Sequence, residues 1–129
     1  MELYQSKKLS VRKSSIHGWG VFAKEFIAAN ELLEEVSFIQ CSPSTEELRR
    51  YVFGWPTNEN AEFSVIAFGN ASLYNSANAK GQNNATYYPS LERRLLVFQA
   101  TKPIQANQEI LTYYGDPYWN YQRSKKEKK

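Results

Sequence analysis

Ser15-Ile16-His17-Gly18-Trp19-Gly20-Val21-Phe22-Ala23, close to the start of the chain, sets two glycines around a tryptophan and follows them with an apolar run. Glycines so placed let a backbone bend sharply and approach a ligand closely. Their amide and carbonyl groups can then hold the charged amino-acid end of a small molecule. Alone, such a Gly-x-Gly is an ordinary reversal between strands. Two distant stretches change its weight. Ser72-Leu73-Tyr74-Asn75-Ser76 carries an asparagine out of an apolar stretch, and Asn107-Gln108-Glu109-Ile110-Leu111-Thr112-Tyr113-Tyr114-Gly115 ends in paired tyrosines and a glycine. Alone, the former reads as the start of a surface loop and the latter as a strand with aromatics on opposite faces.

The bulk numbers bound the rest. A chain of 129 residues with 42% hydrophobic and 15% aromatic content is one globular domain with its own core. No apolar run approaches the ~20 residues of a membrane span. Met1 to Lys8 lacks an apolar stretch with a cleavage site, so no secretory signal is expected, and a cytoplasmic location follows (or the host cytoplasm or nucleus, were the source viral). Cys41 is the single cysteine, which excludes an internal disulfide and a multi-cysteine zinc cluster, and no metal is expected. The net charge of +3 is unevenly spread: residues 1–13 carry +3 and 123–129 carry +4, leaving 14–122 at −4. An acidic body suits a cationic peptide better than nucleic acid. The equally open reading is a solvated surface with a frayed lysine tail.

Strand patterns dominate. Leu9-Ser10-Val11-Arg12 alternates with period two, Glu31 to Val36 and Phe38 to Cys41 read as successive strands, and Leu95 to Phe98 as a short buried one. A helix is expected from Ser44 to about Phe53. Ser44 and Glu47 would form a capping box, Leu48, Val52 and Tyr51 an apolar face, and Gly54-Trp55-Pro56 the stop. Thr57 to Glu62 reads as a loop. Ala23, Ile27, Ala29, Asn30 and Leu33 recur in spacing as Ala100, Ile104, Ala106, Asn107 and Ile110. Two similar turns without duplication account for this most simply, with Asn30 and Asn107 supplying left-handed residues.

Together, in this order and spacing, the three stretches resemble the SET-domain family of protein lysine methyltransferases, from about Ser14 to Trp119. The resemblance implies an α+β, mostly β fold of small curved sheets, with a C-terminal segment threaded beneath a preceding loop. It divides the chain into a basic N-terminal segment at 1–13, expected as an edge strand, a SET domain at 14–119 and a basic tail at 120–129. It implies S-adenosyl-L-methionine as cofactor, held by Gly18, Trp19, Gly20, Asn75, Ser76, Tyr114 and Trp119. Tyr114 takes the family's catalytic position. Tyr51, Phe53, Tyr74 and Tyr113 are candidates for the channel that admits the substrate lysine. His17 reads as an exposed turn residue. Ser76 stands where the family motif has histidine, and the motif's later Pro-Asn is blurred into Gln82-Asn83-Asn84. Small stand-alone members of this kind occur in bacteria and viruses.

The chemistry agrees with so sparse a site. A lysine amine with a pKa of ~10.4 is mostly charged at neutral pH, and only its neutral form attacks a methyl group. An aromatic channel and a neighbouring sulfonium both disfavour the ammonium, so no strong general base is needed. The enzyme's task is alignment. The expected partner is a protein presenting a lysine in a basic segment, with no membrane; the oligomeric state is left open. Two rivals stand beside this reading: a SET-like binding module without catalysis, favoured by Ser76, and a small β-barrel that binds nucleic acid through its basic ends, disfavoured by the acidic body.

Overall fold

A computed structural model describes residues 2–42, 45–49 and 51–113. Ten short strands carry it: β1 (Leu9–Lys13), β2 (Trp19–Ala23), β3 (Leu32–Val36), β4 (Phe38–Cys41), β5 (Val52–Trp55), β6 (Phe63–Ala67), β7 (Asn75–Ser76), β8 (Ala85–Ser90), β9 (Leu95–Ala100) and β10 (Leu111–Thr112). They form four small sheets, ordered β1-β2, β10-β7, β3-β9-β8 and β4-β6-β5. All pairings are antiparallel except β10 with β7, which is parallel. Upstream of β1, Ser6 donates to the Leu33 carbonyl and Glu35 to that of Tyr4, so the N-terminal segment runs along β3.

The core lies between the sheets. Val21 and Ala23 from β2, Leu33 and Val36 from β3, Val65 from β6, and Leu96 and Phe98 from β9 are buried together with Ile27, Ile104 and Ile110. Each large aliphatic removed from water here contributes about 1.5–3 kcal/mol. The expected strands at Leu9, Glu31, Phe38 and Leu95 all form. In β3 the pairing with β9 shifts register between Leu32 and Glu34. The irregularity breaks the alternation, so Leu33 and Glu34 are both buried. Glu34 is accommodated by its partners: Tyr74 donates its hydroxyl to Oε2 at 2.5 Å, and the Asn70 N–H donates to Oε1 at 3.1 Å.

The helix is shorter than its pattern. It spans Glu46–Arg49, one turn, and none of its residues is buried. Val52, Phe53, Gly54 and Trp55, expected to complete and stop the helix, form β5 instead, paired with β6 from Val52↔Ile66 to Trp55↔Phe63. Phe53 and Trp55 point inward, and Val52 and Gly54 do not. Val, Phe and Trp favour a pleated, half-buried surface, and the ladder with β6 outweighs weak local helix propensity. Thr45 Oγ1 accepts the Leu48 N–H at 3.2 Å and so caps the turn; Ser44, the expected cap, lies outside the described residues. Leu48 and Tyr51 are exposed.

The recurring pattern is a spatial two-fold. Ile27 and Ile104 exchange both backbone hydrogen bonds, at 2.9 and 2.8 Å. Asn30 donates to the Ala100 carbonyl and Asn107 to that of Ala23, at 2.9 and 2.7 Å. Asn30 and Asn107 have φ of 68° and 70°, the left-handed conformation expected of them. The two turns therefore do more than look alike: they face each other and complete each other's backbone pairing.

Candidate active site

The C-terminal segment 107–112 organises the site. On one edge it meets β2, where Ala23 donates to the Gln108 carbonyl and Ile110 to that of Val21. Further along the same edge it meets β7, where Ala77 donates to the Thr112 carbonyl at 2.7 Å. The opposite edge is held by one side chain. Asn84 Nδ2 donates to the Glu109 carbonyl at 3.0 Å, and Asn84 Oδ1 accepts the Leu111 N–H at 2.7 Å. The Asn84 N–H adds a bond to the Leu111 carbonyl at 3.0 Å. The chain leaves β7 on one edge and arrives at Asn84 on the other, so the 77–83 connection crosses over the C-terminal segment. This is the threaded arrangement expected for the fold.

Glu109 joins the three distant stretches. Its Oε1 accepts the Ser14 hydroxyl at 2.8 Å, and its Oε2 accepts Asn75 Nδ2 at 2.8 Å. Asn75 Nδ2 also donates to the His17 carbonyl at 3.0 Å. One carboxylate and one carboxamide thus hold the Gly-Trp-Gly turn, β7 and the C-terminal segment in register. Gly20 is required for the approach: a β-carbon there would lie 2.2 Å from Glu109 Oε2 and 3.1 Å from Asn75 Nδ2. Gly18 serves the turn, with φ of 49° and open space where a side chain would begin.

The expected cofactor residues converge here in part. Gly18, Gly20 and Asn75 meet at the junction. Trp19 lies beside it, directly opposite Lys13, and is 57% exposed. Ser76 is buried in β7, its backbone paired with Thr112 and its hydroxyl donating to the Ala77 carbonyl at 2.9 Å. Tyr114 and Trp119 lie outside the described residues. The donor set fits an aminated, cationic cofactor. The Glu109 carboxylate supplies negative charge, and Asn75 Oδ1 accepts no hydrogen bond from the described residues, which leaves an acceptor beside the open turn.

The four expected channel residues differ in burial. Tyr74 is buried, stacked on Phe98 with ring centroids 4.7 Å apart. Burial first, and then the Glu34 carboxylate beside its hydroxyl, push its phenol well above the ordinary tyrosine range. Phe53 is buried, edge-on to Tyr87 at 5.1 Å. Tyr51 is exposed, and its carbonyl accepts the Ser72 hydroxyl at 3.1 Å. Tyr113, one residue past β10, borders a cleft of about 240 Å³ shared with Pro56, Asn58, Glu59, Tyr87 and Pro89.

Glu109, Ser14 and Asn84 have roles that the sequence alone does not predict. Glu109 is the acidic residue directly ahead of Ile110-Leu111-Thr112 in the third stretch. Asn84 sat inside the blurred Gln82-Asn83-Asn84, and its side-chain bonds single it out. For Ser14 there was no signal beyond its place before the Gly-Trp-Gly turn.

A single domain of small sheets around a clasped C-terminal strand, with three stretches distant in sequence sewn together by one carboxylate, defines the class. The SET domain family model matches residues 18–115, and the chain belongs to that family. Among solved structures, the chain is similar to that of a Plasmodium falciparum protein assigned as a histone methyltransferase. The TM-score is 0.68 and the identity 28%, over 88% of this chain and 98% of that one. No curated protein matches.

Proposed function

We propose that this protein is an S-adenosylmethionine-dependent methyltransferase acting on lysine side chains of a protein substrate. Family membership and the likeness to the Plasmodium falciparum protein support methyl transfer as the class of activity. The observation that carries the finer reading is the Ser14–Glu109–Asn75–His17 junction, which gathers at one point the three stretches expected to hold the cofactor. When bound, the cofactor supplies an activated methyl group on a sulfonium.

The chain's residues have three tasks. The Gly18–Gly20 backbone and the Asn75 carboxamide bind and orient the amino-acid end of the cofactor. Glu109 holds Asn75 in position and contributes negative charge near a cationic ligand. Tyr114, placed by the motif it ends, orients the reacting groups through its hydroxyl. Alignment of an amine that has lost its proton to solvent then accounts for the rate without a strong base. Incubating the protein with isotope-labelled S-adenosylmethionine and a cell lysate, followed by mass spectrometry, tests this. Methyl-lysine that depends on Tyr114 is expected. Label confined to other side chains, or none, would overturn it.

A further inference from the structure

The cleft beside Tyr113 has a chemistry of its own. Pro56, Pro89, Tyr87 and Tyr113 give it proline and aromatic walls, Thr57, Asn58 and Thr86 give it polar ones, and Glu59 adds a carboxylate to the lining. The walls are braced. Asn58 Oδ1 accepts the Gly54 N–H at 2.7 Å while Asn58 Nδ2 donates to the Tyr87 hydroxyl at 2.6 Å. The Tyr87 ring is set against Phe53 and Phe98, with centroids 5.1 and 5.4 Å away. Glu59 is exposed and forms no ion pair among the described residues, yet its charge reaches the cleft. Burial, and secondarily Glu59, raise the Tyr87 phenol to about 12. A rigid slot with aromatic and proline faces and one unpaired carboxylate complements a flat, weakly hydrated cation on an apolar stem. That describes a guanidinium better than an ammonium, because only the guanidinium stacks on rings and forks to a carboxylate.

We infer that this cleft is a specificity subsite, in which the side chain of an arginine close to the target lysine stacks between the Tyr87 and Tyr113 walls and pairs with Glu59. The inference rests on the methyltransferase reading for the identity of the peptide and deepens it. Tyr113 directly precedes Tyr114 in sequence, so an arginine one or two residues from the lysine, at ~3.3–3.6 Å per extended residue, is within reach. The −4 charge of residues 14–122 favours the same kind of segment.

The test uses a single-lysine peptide on a neutral scaffold, with arginine placed in turn at each of the two positions before and after the lysine. Each peptide is paired with one carrying citrulline, which keeps the shape and loses the charge. Binding is read by fluorescence anisotropy on the full chain, and methyl transfer separately by mass spectrometry. At one position arginine should bind about tenfold more tightly than citrulline. In Glu59→Gln that ratio should fall to near one, and Glu59→Lys should favour glutamate at the same position. Melting curves establish that both variants fold. An arginine preference that survives Glu59→Gln, or no arginine-dependent binding at any position, overturns the subsite. Arginine-dependent binding without methyl transfer would leave the subsite standing and sink the methyltransferase reading. Methyl transfer indifferent to arginine would do the reverse.

Discussion

Replacing Gly20 with alanine should damage the site through a residue that is distant in sequence. Gly20 φ lies outside the left-handed region, so its own backbone tolerates a side chain. What the new methyl meets is Glu109 Oε2, at 2.2 Å. The carboxylate must swing away, and with it go the bonds from Ser14 and Asn75. Hydrogen bonds to a charged group contribute about 1.5–3 kcal/mol each, and part-burial puts these at the lower end, so the pair costs about 3 kcal/mol. Glu109→Ala removes the same bonds and should cost about as much. In the double variant there is no carboxylate left to displace. The residual 3.1 Å contact with Asn75 Nδ2 should add only about 1 kcal/mol. The double variant is therefore expected about 2 kcal/mol more stable than the sum of the single effects. Urea unfolding of the wild type and the three variants measures the cycle, and calorimetry with S-adenosylmethionine on the same samples should show weaker binding in each. Strict additivity, or a Gly20→Ala protein as stable as wild type, would refute the account of the junction.

Asn84→Ala should cost about 2–3 kcal/mol, because it strips a buried clasp of two side-chain bonds to the C-terminal segment and leaves backbone groups of Glu109 and Leu111 unpaired; hydrogen exchange should show residues 109–112 losing protection before β8 and β9 do. Stability should decline in alkali. The Tyr74 and Tyr87 phenols are held above their ordinary value, so their contribution is complete below about pH 10 and is lost as pH rises through the folded values, about 12 for Tyr87. Denaturation across that range should show a shallower decline in Tyr87→Phe, and an unchanged slope would count against the assignment. Tyr114→Phe should keep cofactor binding within a few-fold and severely lower single-turnover transfer; transfer at the wild-type rate would remove Tyr114 from the mechanism.

Much of the architecture was legible because the strands obey local rules. Leu9 to Arg12 alternates, Leu95 to Phe98 is apolar on both faces, and Asn30 and Asn107 announce the left-handed turns they make. Where local rules conflict, long-range contacts decide. Val52 fits a helical face with Leu48 and Tyr51 as well as it fits a strand, and the ladder with Phe63–Ala67 chose the strand. Glu34 looks like the outward member of an alternating pair; a register shift in the pairing of β3 with β9, between Leu32 and Glu34, sends it into the core, where Tyr74 donates its hydroxyl to it. The candidate site was legible as three stretches and not as a contact. Nothing in the spacing of Gly20, Asn75 and Glu109 says that two side chains meet where a third residue has none. The channel residues differ in burial for a related reason: aromatic identity marks Phe53, Tyr74 and Tyr113 equally, and only packing tells a core ring from a cleft wall.

Titration of the isotope-labelled protein with S-adenosylmethionine, followed through its backbone amides and the Asn75 carboxamide, addresses the junction at residue level. Saturable shifts should cluster at Gly18, Trp19, Gly20, Asn75, Ser76 and Glu109 and should weaken together in Asn75→Ala, by the ~1–3 kcal/mol of an unsatisfied polar partner. Shifts that appear elsewhere, or that leave Gly18 to Gly20 and Asn75 untouched at saturation, would contradict the assignment of this junction as the cofactor site.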